Sequence, residues 1–229
     1  VSGVRRKWIQ EGLNQLDIKR DITYTESLAK GRYLQIKSEY QGTNAKATHT
    51  GIIWAVDNLI NFHETFHIPT EWHDLPRVGM RFEIAAEYSI LEWFGRGPLE
   101  SYPDRRNSQL ISKWKSTVSS QYHPYVVPQE NGAHQDTKWF SLISHQGDQL
   151  KFNIAKANSF SASFMHDTDL SQSLTISQVK PSPTTEVHID AAIRGLGTGA
   201  CGPDTLEEFR LTSGTYEMGW SIEVLLANP

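Results

Sequence analysis

The sequence predicts an all-β chain built as two layers of antiparallel strands. Three observations point there. Apolar residues fall on alternate positions in about a dozen short runs. Two brief stretches read as helical, Asn107–Lys115 and His166–Leu170. The connections are rigid, Gly- and Pro-bearing turns. No Ser/Gly/Pro-rich linker or charge run divides the 229 residues, so the chain is read as one domain over residues 1–229.

In order, Leu16, Ile18, Ile22 and Tyr24 share one parity and Asp17, Lys19, Asp21 and Thr23 the other, the pattern of a half-buried strand. Leu34, Ile36 and Tyr40 repeat it after Gly31, giving its hairpin partner. Ile52–Val56 and Ile60–Ile68 predict two more strands, the second with His63 and His67 on its polar face. A spacing of four would suit a metal on a helix, but along a strand it separates the two imidazoles by roughly 13 Å. No metal site is expected there. A loop bracketed by Pro69, Pro76 and Gly79 holds Trp72, the best candidate for an exposed aromatic, and Phe82–Tyr88 then leads as a strand into the next segment.

That segment is Trp93–Arg105, WFGRGPLESYPDR, with two Gly, two Pro, three aromatics and four charged residues. Gly95 and Gly97 free the backbone while Pro98 and Pro103 fix it, so a built corner is expected. Arg96, Glu100, Asp104 and Arg105 are close enough to satisfy one another if it folds back on itself. Asn107–Lys115 follows as a short helix anchored by Trp114. His123–Gly132 is a second rigid stretch, with Glu130 and Asn131 beside a Gly. Trp139–Ile143, Leu150–Ile154, Phe160–Phe164, Leu174–Val179, Val187–Ile193, Leu206–Leu211 and Tyr216–Leu225 complete the predicted strands, and His166–Leu170 makes one helical turn with Asp167 or Thr168 as its cap.

Composition narrows the partners. A chain of this size needs no disulfide or metal to hold its core, no metal site is expected in it, and Cys201, the one Cys, forms no internal pair. A net charge of −4 without a basic cluster argues against nucleic acid and anionic membrane. No apolar run reaches the length of a membrane helix, and the start VSGVRRKWIQ has no apolar signal core, so a cytoplasmic setting is expected.

Four motifs, RGPLESYPDR (96–105), PYVVPQENG (124–132), MHDTDL (165–170) and HIDAAIRGLGTGACGP (188–203), resemble the C-terminal domain of β-galactosidases of glycoside hydrolase family two. Some bacteria make that domain as a separate small chain. The resemblance implies a β-supersandwich of the galactose-mutarotase-like type that packs on the catalytic TIM barrel of its enzyme and completes one wall of the galactoside pocket. The family's stretch before Val1 is missing, which implies an excised fragment lacking its first strand or strands. An exposed barrel-facing apolar surface would favour a homo-oligomer.

Retaining glycosidases need two carboxyls about 5–5.5 Å apart. In the resembling family both are Glu of the barrel, so this chain is expected to be inactive alone and to need no cofactor. Its own nearest pairs are Glu100 with Asp104, Glu130 with Asp136, and Glu207 with Glu208. The first is explained by its arginines, and the last would point to opposite faces of a strand.

The pocket wall implied by the resemblance is the Gly195–Pro203 loop, with Gly199, Cys201, Gly202 and Pro203. Glycines in alternation let backbone approach a ligand closely. The family's best-known members place a sugar-stacking Trp where this sequence has Cys201, and a thiol lacks that apolar face. The segment aligning with Val1–Lys7 belongs to a loop at the pocket mouth, so Arg5 joins the candidates, although a frayed terminus is expected here. The corner residues Arg96, Glu100, Asp104, Arg105, Glu130 and Asn131 are assigned a structural role. The alternative function is a stand-alone carbohydrate binder or an aldose mutarotase, for which Glu186 and His188, on one strand face, form a conceivable acid–base pair.

Overall fold

The computed structural model describes residues 3–27, 31–197 and 202–227. They divide into two compact units, Val1–Val78 with Ala191–Ser221, and Gly79–Asp190 with Ile222–Pro229. Both are built from antiparallel strands, the class that the alternation predicts.

The first unit opens with a helix, α1 (Gly3–Gln10), where the sequence suggests a frayed end. Its strands are β1 (Asp17–Ser27), β2 (Gly31–Gln41), β3 (Lys46–Val56) and β4 (Leu59–Ile68), in the order β1-β2-β3-β4, followed by β11 (Gly214–Leu225) up to Ser221. Val56 pairs with Leu59 across a two-residue turn, and Asp57 takes the left-handed backbone at φ 53° that such a turn requires. Register aligns the apolar parities: Tyr24 faces Leu34, Leu34 faces Ile53 and Ile53 faces Phe62.

Burial of that face is uneven. On β3 and β4 it holds Ala47, Phe66 and a buried His49–Glu64 pair at 2.6 Å, and Phe62 stacks on Trp220 at 3.9 Å. On β1 the expectation of a half-buried strand fails: Ile18, Ile22 and Tyr24 are 50%, 59% and 60% exposed. β1 ends the strand order and lies beyond the covered part of the face. Trp72 corrects another expectation. It is buried, with its ring under Gly42, where a Cβ would meet the indole Cζ2 at 2.8 Å.

The second unit contains β5 (Arg77–Ala85) from Gly79 on, β6 (Ile90–Gly97), β7 (Leu110–Thr117), β8 (His134–Ile143), β9 (Gln149–Ser163), α2 (Asp167–Gln172) and β10 (Thr184–Ile193) up to Asp190. Its strand order is β9-β8-β6-β7, and β10 pairs with β9 and β5. Leu91, Trp93, Phe140, Leu142, Phe152, Phe160 and Ile189 make a buried core, each at most 1% exposed, with Phe140 stacked on Phe152 at 4.5 Å and on Phe160 at 4.2 Å.

Several sequence expectations change in the two units. Asn107–Lys115 is not a helix: Leu110–Thr117 is a strand paired with β6, Trp93 opposite Trp114, and its Lys113 and Lys115 reach Glu92 at 3.4 and 3.0 Å. Cross-strand pairing outweighs the weak helical pattern. Leu174–Val179 and Leu206–Leu211 are not strands; each contains a single 3-10 turn, Ile176–Gln178 and Glu207–Phe209. Leu150–Ile154 and Phe160–Phe164 are joined through β9 rather than being two strands. The corner begins later than expected, because Trp93–Gly97 already belongs to β6.

Candidate functional site

The motif HIDAAIRGLGTGACGP runs along β10 and leaves the sheet after Ile193. At that exit Arg194, 6% exposed, organises the loop base. Its Nε and Nη2 donate to the two oxygens of Asp74 at 2.7 and 3.1 Å, a bidentate fork, and Nη2 also reaches Asp204 at 2.9 Å. Nη1 donates to the Thr205 hydroxyl at 2.6 Å and to the Gly195 carbonyl at 3.1 Å. One guanidinium thus ties together the start of the loop, its end at Asp204 and Thr205, and the Asp74 segment.

Burial opposes the charge on Arg194, but hydrogen bonds to Asp74 and Asp204 outweigh it and raise its pKa. Burial likewise acts to raise the pKa of Asp204, and the Arg194 hydrogen bond wins and lowers it. Gly197 sits at φ +66° with its α-carbon against Thr205, where a Cβ would come within 2.7 Å of the backbone nitrogen. A side chain there would force the loop off its base.

The N-terminal helix reaches the same place, since the Trp8 indole nitrogen donates to the Asp74 carbonyl oxygen. Arg5 is exposed on that helix. Gly202 and Pro203 are exposed just before Asp204, while Gly199 and Cys201 lie outside the described residues.

The corner is a separate network in the second unit. Glu100 accepts from Arg105, from the Tyr125 hydroxyl at 2.5 Å and from the Gly132 amide at 2.7 Å. Gly132 donates from a left-handed backbone, φ +78°. Buried Tyr102 donates to Glu130 at 3.1 Å, and Asn131 Oδ1 accepts from the His123 amide at 3.0 Å. Arg96 finds its carboxylate outside the corner: it pairs with Asp136 at 2.5 Å and donates to the carbonyls of Arg106 and Gln109 at 3.1 and 2.9 Å. Asp136 is turned toward it by a β-bulge in β8, at φ 56°.

His134 is buried beneath the corner, its ring 4.4 Å from Trp93 and its Nδ1 3.1 Å from the Arg96 carbonyl oxygen. Burial lowers its pKa to about 4. The carboxylates that sequence proximity offers as pairs are engaged: Glu100 with Arg105, Glu130 with Tyr102, and Asp136 with Arg96.

Sequence reasoning singles out the glycine loop but not Arg194, Asp74 and Asp204, which hold it. Arg194 lies inside the quoted motif, and an Arg among glycines was the available signal. Its partner Asp74 is 120 residues away, a distance over which a single sequence carries no pairing pattern.

The β-galactosidase small-chain family matches residues 2–222. The β-galactosidase of Kluyveromyces lactis is 30% identical over 167 residues, covering 72% of this chain and 16% of that protein. That of Arthrobacter sp. strain B7 is 28% identical over 89% of this chain and 20% of its own length, and that of Vibrio cholerae 24% identical over 97% and 21%. The chain therefore spans about a fifth of the curated relatives it matches. Among solved structures, an α-galactosidase from Lactobacillus brevis aligns over 93% of this chain and 27% of its own, with TM-score 0.45 and 8% identity. A galactose mutarotase-like protein from Lactobacillus casei aligns over 92% and 73%, with TM-score 0.30 and 11% identity. With the match running nearly end to end and four motifs in place, the chain belongs to the β-galactosidase small-chain family.

Proposed function

We propose that this chain is the non-catalytic domain of a β-galactosidase that packs on a catalytic TIM barrel, fused or in a large subunit, and completes one wall of its galactoside pocket. The parent enzyme in this reading hydrolyses terminal β-D-galactosides such as lactose, and the chain itself needs no cofactor. The observation that carries it is the meeting of α1 and the glycine loop on Asp74: Trp8 bonds its carbonyl and Arg194 its carboxylate. A pocket wall made from both segments requires that proximity. The exposed apolar residues Ile18, Ile22 and Tyr24 support a face that a barrel covers.

The alternative, a stand-alone sugar binder or aldose mutarotase, draws on the approach of His188 to Glu186 at 3.3 Å. Arg81 and Asp167 engage those groups as well, and both His188 and Glu186 are buried, which disfavours a substrate between them.

The test is made in the complete β-galactosidase. Cys201→Trp restores an aromatic face and is expected to lower KM for a β-galactoside by roughly fivefold, the worth of about 1 kcal/mol of stacking. Unchanged KM in both Cys201→Trp and Cys201→Arg overturns the pocket-wall role. The chain assayed alone is expected to show neither chromogenic β-galactoside hydrolysis nor galactose mutarotation, and appreciable mutarotation would select the alternative.

A further inference from the structure

A second side-chain cluster lies in the other unit, where MHDTDL meets the strand face of HIDAAIRG. Glu186 and His188, two apart on β10, project to the same side, and Asp167 at the start of α2 closes over them. His188 Nε2 stands 3.3 Å from Glu186 Oε1 and 3.3 Å from Asp167 Oδ2, and the three ligand atoms lie within 4.8 Å of one another.

Those distances are longer than the tightest ion contact of the chain, and two carboxylates share one ring nitrogen. The buried His49–Glu64 contact in this same chain closes to 2.6 Å, and charge-assisted N–H···O bonds ordinarily measure about 2.7–2.9 Å. A separation of 3.3 Å leaves His188 Nε2 shared between two carboxylate oxygens, with a long hydrogen bond to Glu186. It does match the edge of a tetrahedron: bonds of about 2.0–2.1 Å to a central ion put neighbouring ligand atoms roughly 3.3–3.4 Å apart.

The surroundings are those of ligands held in place. Glu186 Oε1 accepts from the Asp167 amide at 2.8 Å, and Oε2 is clamped by Arg81, which in turn lies 3.5 Å from Glu83. Outer hydrogen bonds of this kind fix carboxylate orientation at metal centres. The side chains of His188 and Glu186 are 6% and 2% exposed, while that of Asp167 is 43% exposed, so an ion enters from the Asp167 side and a fourth position opens there to water. One imidazole and two carboxylates exclude a soft thiolate-type ion and disfavour calcium, which takes oxygen ligands alone.

We propose that Asp167, Glu186 and His188 form a zinc-class site that ties α2 to β10, with His188 bound through Nε2 as the neutral imidazole. The site is independent of the pocket-wall reading and requires no galactoside.

The tag-free protein, stripped with chelator, is titrated with Zn2+ by calorimetry and its metal content measured after dialysis. One tightly held equivalent and a raised Tm are expected, and Co2+ in its place is expected to give the intense visible band of a tetrahedral ion. His188→Asn and Asp167→Asn are each expected to weaken Zn2+ binding at least tenfold and to abolish that band. Asp167 is half-exposed, so its variant tests the site even where His188→Asn does not fold. Absence of saturable binding, or binding that survives Asp167→Asn unchanged, overturns the proposal in favour of an ion pair with adventitious metal.

Discussion

The loop base at Arg194 and the corner at Glu100 are both polar networks in an apolar setting, yet they close differently. At the corner, a carboxylate collects three donors from Arg105, Tyr125 and Gly132, and each donor belongs to the corner or to the stretch packed on it. At the loop base, one guanidinium collects acceptors from segments far apart in the chain, and the loop runs on past it to exposed Gly202 and Pro203. The first network ends in itself and rigidifies. The second presents something, which is why a defect of stability alone is expected from the first and a functional defect besides the loss of stability from the second.

The comparison breaks most visibly at Arg194. Arg194→Leu leaves Asp74 buried without its fork and is expected to cost about 3–5 kcal/mol. At roughly 2–4 °C per kcal/mol for a chain of this size, thermal denaturation would show it as a drop of about 10 °C. Arg194→Lys, which keeps the charge and loses the bidentate geometry, should fall between. If both variants melt like the parent, the loop base is not the anchor described.

The corner carries its own pH signature. His134 has a folded pKa near 4 because it is buried, against 6.5 for the free side chain. The unfolded chain therefore takes up the proton first, so stability is full above pH 6.5, falls as pH drops from 6.5 toward 4, and levels below that. The loss is on the order of 3 kcal/mol, read from urea midpoints across that window. His134→Gln is expected to flatten this slope, and an unchanged slope would show that another group titrates there.

Glu100→Gln sharpens the contrast. It keeps the shape, removes the charge that Arg105 and Gly132 address, and is expected to cost about 2 kcal/mol. In the full enzyme it should leave KM for a galactoside within twofold. A KM effect exceeding the loss of stability would move the site to the corner. The smallest effect is expected at Ile22→Lys, on the exposed face of β1, which should change the stability of the chain alone by less than about 0.5 kcal/mol.

The strands were legible where apolar residues alternate in the sequence, whether one face is covered, as in β4, or both, as in β10. β2, β4 and β10 are found within a few residues of the runs that predict them. The misses have local causes. β7 is exposed at nearly every position, so its strand character comes from pairing with β6. Leu174–Val179 and Leu206–Leu211 contain apolar residues that stay at the surface, Leu174 at 78% and Leu206 at 62% exposed. The glycine loop was visible because Gly and Pro announce special backbone; Asp74 and Asp167 were not, because their meaning comes from partners brought near only by the fold.

One feature of β1 bears on how the chain behaves in solution. An eleven-residue strand at the end of a sheet, with Ile18, Ile22 and Tyr24 open to water, is a template on which another strand could grow. Lys19, Arg20 and Asp21 interrupt it in its first half, and Arg20 is steadied by Ser38 at 3.2 Å. Those three charges act as gatekeepers against fibre-like stacking, so the same strand keeps an apolar face available and denies it to indiscriminate pairing.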